Sequence, residues 1–227
     1  MSFKKVSHVI FDLDGLIIES ESIYATVIGE IAAKFGKEYT RDIRLKIMGT
    51  PEPVTASTAI KELQLPYTVD QFLEEYLTKA KELLQHPKLM PGAKELIEHL
   101  HKHNIPIAVA TSSAQDVLDV KIQDHLDLIS LFHHVVCGST DPEVKHGKPA
   151  PDIFLVCASR FPDKPHPDEC LVLEDAPNGA KGAVAAGMQV ILVPDPDVPE
   201  EWRKPATLVL NSLKEFKPEL FGLPAFD

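Results

Sequence analysis

Apolar and polar positions alternate in two rhythms along the chain. Val6-Ser7-His8-Val9-Ile10-Phe11 is a short, β-branched apolar run ending at Asp12-Leu13-Asp14-Gly15, and it reads as a buried strand. From Ser20 to about Gln85 the pattern is helical, with no strand. One helix is expected over Ser20–Phe35, stopped by Gly36, and another over Pro53–Leu63. A third is expected from Thr68 to Gln85, opened by the capping-box pattern Thr68-Val69-Asp70-Gln71. Tyr24, Phe35 and Phe72 fall on the apolar faces of this block and are expected in its core.

After Met90-Pro91-Gly92, strands and helices alternate. Strands are expected at Ile105–Ala110, His134–Cys137, Leu171–Leu173, Gln189–Val193 and Thr207–Leu210. Helices are expected at Ala93–His103, from Ser113 (placed to cap it), at Pro151–Phe161 and at Asn178–Ala186, with Pro194–Pro205 as a loop. This alternation predicts an α/β fold: a Rossmann-like parallel sheet with helices on both faces, joined by right-handed crossovers. The first strand belongs to that sheet by character. The expected division is therefore a catalytic core of residues 1–17 and 88–227, with an all-α cap inserted at 18–87.

Composition narrows the function. The 227 residues are 44% hydrophobic and 25% charged, ordinary for a globular chain. No apolar run reaches the roughly 18–20 residues of a membrane span. Met1-Ser2-Phe3-Lys4-Lys5-Val6 runs into Asp12 too soon for a signal peptide. With 23 Lys and Arg against 34 Asp and Glu, the net charge of −11 argues against a nucleic-acid polymer as partner. An anionic substrate would need positive potential created locally. Cys137, Cys157 and Cys170 are odd in number and lack metal-ligand spacing, so buried thiols in a reducing cytoplasm are expected. A monomer is the expected state.

In open parallel sheets, ligands bind beyond the carboxyl ends of the strands. Those ends carry Asp12 and Asp14, then Thr111-Ser112-Ser113, then Gly147-Lys148-Pro149 in the segment after the third strand, then Glu174-Asp175. The groups lie dozens of residues apart and can meet only if their strands are neighbours. Up to four carboxylates near one point would repel and protonate unless a hard cation such as Mg²⁺ held them. Thr111 and Ser112, before a helix start, suit an anion. Lys148 alone reads as a surface lysine, and Gly179 and Gly182 read as close packing of a helix on the sheet.

Taken together, Phe11-Asp12-Leu13-Asp14-Gly15, Thr111-Ser112, Lys148, and Glu174-Asp175 followed by Ala176-Pro177-Asn178-Gly179 and Ala185-Ala186-Gly187 resemble the haloacid dehalogenase-like phosphatase superfamily, in members with a helical cap after strand one. The resemblance implies an Mg²⁺-dependent phosphomonoester hydrolase acting on a small metabolite. It makes Asp12 the nucleophile that forms an aspartyl-phosphate and Asp14 the general acid and base. Thr111, Ser112 and Lys148 would bind the phosphoryl group. Asp12, the Asp14 carbonyl, Glu174 and Asp175 would hold the metal. Gly49 and Thr50, in Met48-Gly49-Thr50-Pro51, would face the substrate. One departure is Glu19-Ser20-Glu21, where the family has Asp-Thr-Glu or Asp-Ser-Glu, which places Glu19 at the cap-side pocket as a substrate contact. A finer likeness runs through Asp141-Pro142-Glu143-Val144, His146-Gly147-Lys148-Pro149 and the C-terminal Phe221-Gly222-Leu223-Pro224. It points to members acting on pseudouridine 5′-phosphate. Sugar- or glycerol-phosphate phosphatases, a β-phosphoglucomutase-like phosphomutase and a catalytically silent phosphometabolite-binding protein are the alternatives.

Overall fold

The computed structural model describes residues 3–226. Met1, Ser2 and Asp227, included in the expected core, lie outside the described residues. Six parallel strands, in the order β3-β2-β1-β4-β5-β6, form one sheet. They are β1 (His8–Phe11), β2 (Ile107–Thr111), β3 (His134–Cys137), β4 (Cys170–Glu174), β5 (Gln189–Leu192) and β6 (Leu208–Val209). β2 starts two residues later than expected, because Pro106 has no N–H to give the ladder and offers only its carbonyl, to Val9.

Both faces of the sheet are covered, and β1 shows how. Val9 and Phe11 face a core shared with α5 (Ala93–Lys102), α6 (Gln115–Ile122) and α7 (Leu126–Ile129). Ile10 faces the opposite core, shared with α8 (Asp152–Ser159) and α9 (Pro177–Ala185). A strand buried on both sides is mostly apolar, which is why Val9-Ile10-Phe11 does not alternate, and the buried His8 at its start is satisfied by Asp163. Among the described residues all three cysteines are free and buried.

Of the five helices described between β1 and β2, the first four form a block of their own: α1 (Glu21–Ala33), α2 (Arg41–Ile47), α3 (Glu52–Leu63) and α4 (Val69–Leu83). They enclose a hydrophobic cluster of their own, which includes Ile28, Ile31, Ala59 and Phe72. Thr68 and Gln71 make the expected capping box. Left-handed Gly36, with Lys37 N–H donating to Ala32 O, closes α1. The two connections to the sheet run side by side: Glu19 N–H donates to Lys88 O and Met90 N–H to Ile17 O, both at 2.8 Å.

Several expectations are corrected. α2 was not anticipated. It forms because Thr40 caps it and Ile43 and Ile47, four apart, both turn inward. A short helix, α10 (Glu200–Arg203), interrupts the expected loop. Phe35 is 38% exposed, lying past the end of α1 against Tyr67 rather than in the core. Ser113 does not cap α6: Ala114 holds that position, and the Ser113 hydroxyl is used elsewhere.

Candidate active site

The chain leaves β1 for β2 on one side and reaches β4 on the other, so the sheet reverses direction at β1. The crevice at such a reversal is where open sheets hold ligands. Three strand ends meet there. Asp12 follows β1 and is fixed by its own N–H donating to Leu173 O at 2.9 Å. Thr111 closes β2 and Glu174 closes β4.

Lys148 does not lie on the surface. It is 5% exposed, and its ammonium donates to Asp12 Oδ1 at 2.5 Å, Glu174 Oε1 at 2.6 Å and Ala110 O at 3.0 Å. Asp12 is itself 5% exposed. Burial, opposed by Lys148 and reinforced by Glu174 and Asp14, pushes its carboxyl up to about 8. The two carboxylates raise Lys148 above the ordinary lysine range, against its burial.

Asp12, Glu174 and Asp175 each offer an oxygen within 4.8 Å of the others. Burial, then the charges of Asp12, Glu21 and Glu174, hold Asp175 well above the usual carboxylate range. Its side chain makes no hydrogen bond or ion pair among the described residues. A buried carboxylate without a donor, beside two more, fits a hard divalent cation. The backbone leaves room for this cluster: a Cβ on Gly15, whose φ is +74°, would sit 2.3 Å from Asp175 Oδ2, and one on Gly179 would sit 1.9 Å from Glu174 Oε1. Gly179 is thus where α9 packs closely on the sheet, against the Glu174 carboxylate at the end of β4.

Asp14 faces a different set of partners. Its Oδ1 accepts from Ser20 at 2.6 Å and Lys121 at 2.5 Å, and its Oδ2 accepts from Ser113 at 3.1 Å and Thr111 at 3.3 Å. Burial would raise this carboxyl, but Lys121 and the hydrogen bonds hold it below the usual range. Lys121 is fully buried, touches Ser113 Oγ at 2.7 Å and lies 5.0 Å from the centre of the Tyr24 ring. The Asp14 carboxylate stands outside the three-carboxylate cluster.

A cavity opens above these groups, between the sheet and the four inserted helices. Asp12, Asp14, Ser112, Lys148, Glu174 and Asp175 form its floor. Gly49 and Thr50 reach it from the insert, and left-handed Gly49 lies so near Ala176 that a Cβ would stand 2.6 Å from the alanine's. Glu21, Tyr24, Tyr39, Arg44 and Glu52 complete the wall. Burial, with the charge of Asp14, pushes Glu21 up to about 7.

Two expected site residues are not on the wall. Thr111 is fully buried, its hydroxyl engaged with Asp14 and the Ser113 N–H. Glu19 turns back onto the first turn of α1, accepting from Ser22 N–H at 3.3 Å and Ser22 Oγ at 2.8 Å. Glu21, Tyr39, Arg44 and Lys121 were missed. Glu21 follows the first motif closely enough to have been considered, whereas Lys121 carries no local signal.

The haloacid dehalogenase-like hydrolase family model matches residues 9–193. A "Probable pseudouridine-5'-phosphatase" of Drosophila melanogaster is 45% identical, over 98% of this chain and 96% of that protein. "(DL)-glycerol-3-phosphatase 2" of Arabidopsis thaliana is 43% identical, over 98% of this chain and 93% of that protein. The crystal structure of β-phosphoglucomutase from Clostridium difficile superposes with a TM-score of 0.77 at 22% identity, covering 94% of each chain, a likeness of fold.

Proposed function

The chain belongs to the haloacid dehalogenase-like hydrolase family, and on that premise we propose that it is a phosphatase that hydrolyses a small phosphomonoester through an aspartyl-phosphate on Asp12. The observation that carries this reading is the buried meeting of Asp12, Lys148, Glu174 and Asp175 under one cavity. Asp12, Glu174, Asp175 and the Asp14 carbonyl would hold Mg²⁺, which when bound would supply positive charge beside the phosphoryl oxygens.

Lys148 steadies the Asp12 carboxylate and neutralises charge on the phosphoryl oxygens. Ser112, on the cavity floor, offers donors to the same oxygens, and Thr111 braces the strand end behind it. Asp12 attacks phosphorus as the ester oxygen departs with a proton from Asp14. Asp14 then takes a proton from the water that attacks the aspartyl-phosphate, restoring Asp12 and releasing phosphate. The helices α1–α4 act as a cap over 18–87 that excludes bulk water while the acyl phosphate exists. We take the protein to act as a monomer, and the three free cysteines suit a cytoplasmic location.

Pseudouridine 5′-phosphate is the substrate we favour, supported by the Drosophila relative; glycerol phosphate follows from the plant relative at similar identity. The cap end disfavours a phosphomutase, which must hold a second phosphate. Glu21 and Glu52 line that end, and Arg44, the cation there, has its charge engaged by Asp195 at 2.6 Å, while its buried Nε is left as a donor for a neutral leaving group. A phosphate-release screen over nucleoside, sugar and polyol monophosphates, with and without Mg²⁺, tests the reading. Metal-dependent release from one class supports it, and isomerised sugar phosphate in place of free phosphate would replace it with a mutase.

A further inference from the structure

Lys121 is a buried cation beside the site that the proposed reaction does not use. It projects from α6 with no exposed surface, and burying an ammonium is costly unless it is paired and hydrogen-bonded. Its partners are specific: Asp14 Oδ1, Ser113 Oγ and the face of Tyr24. None of them belongs to the three-carboxylate cluster.

The two oxygens of Asp14 are held unequally. Oδ1 takes a charge-assisted bond from Lys121 at 2.5 Å and a short bond from Ser20 at 2.6 Å. Oδ2 takes only neutral hydroxyls, Ser113 at 3.1 Å and Thr111 at 3.3 Å. A carboxylate has about four acceptor positions, and here four donors occupy them, so a leaving-group oxygen must displace one. All four bonds end on an ionised acceptor, but only Lys121 brings a charge of its own and the Oδ2 contacts are the longer ones, which makes the hydroxyl contacts at Oδ2 the ones to yield. Ser113 is well placed to give way, since its oxygen also accepts from Lys121.

We propose that Lys121 is a positioning residue: it pins Asp14 by Oδ1, so that Oδ2 is the oxygen through which Asp14 gives its proton to the leaving group and later takes one from water. In the first half-reaction the ester P–O bond breaks, the departing oxygen takes the proton from Oδ2, and Asp12 holds the phosphoryl group. In the second, Oδ2 takes a proton from the attacking water and the Asp12–phosphorus bond breaks. This rests on the phosphatase reading above.

An aliphatic alkoxide needs that proton and p-nitrophenolate does not, and kcat/KM covers only the steps up to departure of the leaving group, so the ratio of kcat/KM on the two kinds of ester isolates the role. For Lys121→Met, kcat/KM on the best aliphatic phosphomonoester of the screen is expected to fall about a hundredfold, the usual size of a lost proton-transfer contribution. On p-nitrophenyl phosphate kcat/KM is expected to fall only a few-fold, while kcat falls on both esters through the shared hydrolysis of the aspartyl-phosphate. Because both rates come from one preparation, incomplete folding cancels in the ratio. Should that variant not fold, Lys121→Gln, which keeps a donor but loses the charge, is read by the same ratio and is expected to lie between Met and wild type. An unchanged ratio in a variant that still hydrolyses p-nitrophenyl phosphate overturns the proposal. If the wild-type protein hydrolyses neither ester with Mg²⁺ present, it is the phosphatase reading that fails.

Discussion

At the floor of the cavity, Asp12 and Glu174, with Thr111 buried behind them, stand at the ends of three adjacent strands locked by ladder hydrogen bonds. At the cap end, Glu21 lies on α1, Tyr39 in the loop beyond it and Arg44 on α2, and Arg44 is steadied across the gap by Asp195. The floor is rigid, buried and crowded with paired charge. The cap wall is assembled from separate helices that meet the core through two short connections and a few ion pairs, such as Arg41 with Asp197. The difference implies a division of labour. The floor carries chemistry common to every substrate, and the wall selects the leaving group, so damage to the floor should appear in kcat and damage to the wall in KM.

The sharpest way to break that division is Asp12→Asn, which keeps size and removes the nucleophile. Turnover should fall by at least about a thousandfold on every ester, aryl or alkyl, in a phosphate-release assay. Next comes Lys148→Met, which leaves the Asp12 and Glu174 carboxylates buried without their cation. Breaking such a pair costs about 3–5 kcal/mol, so thermal unfolding should move down by many degrees as turnover is lost.

The third test joins metal and pH. Asp12 is pushed up to about 8 from an ordinary 3.8, and Glu21 up to about 7 from 4.5. Their folded values are raised, so the folded protein binds more protons than the unfolded chain between those limits. The stability this gives is present at low pH and is lost as pH rises through the folded values. Metal-free protein should therefore lose stability from about pH 5 to pH 8, and added Mg²⁺ should restore it most at the upper end, read as the unfolding midpoint by calorimetry.

On the wall, Arg44→Gln should raise KM about tenfold for the natural ester while leaving kcat on p-nitrophenyl phosphate within about twofold, as expected when only binding is lost. Smallest is Glu19→Gln. It weakens a contact to the first turn of α1, outside the cavity, and should cost about 0.5–1 kcal/mol of stability in denaturant unfolding with KM unchanged.

How far the sequence discloses this arrangement follows the same line. β1 and Asp12-Leu13-Asp14-Gly15 are legible because a doubly buried strand must be apolar and must stop where charge begins. Thr111 and Glu174-Asp175 are legible for the same reason. Lys148 is not legible as a buried residue, because nothing in Gly147-Lys148-Pro149 shows that Asp12 and Glu174 wait for it. α2 escapes because Arg41–Ile47 is short and mostly charged, and its helix exists only by packing Ile43 and Ile47 against its neighbours. Lys121 and Arg44 escape for the deeper reason that their partners, Asp14 and Asp195, lie over a hundred residues away.

The measurement closest to the centre of the account is acid quenching of the wild-type protein during turnover with Mg²⁺, followed by peptide mass spectrometry. The account predicts a phosphoryl group on Asp12, trapped before steady state and absent in Asp12→Asn. An active enzyme that carries no phosphoryl group at any quench time, or carries it on a residue other than Asp12, would contradict it.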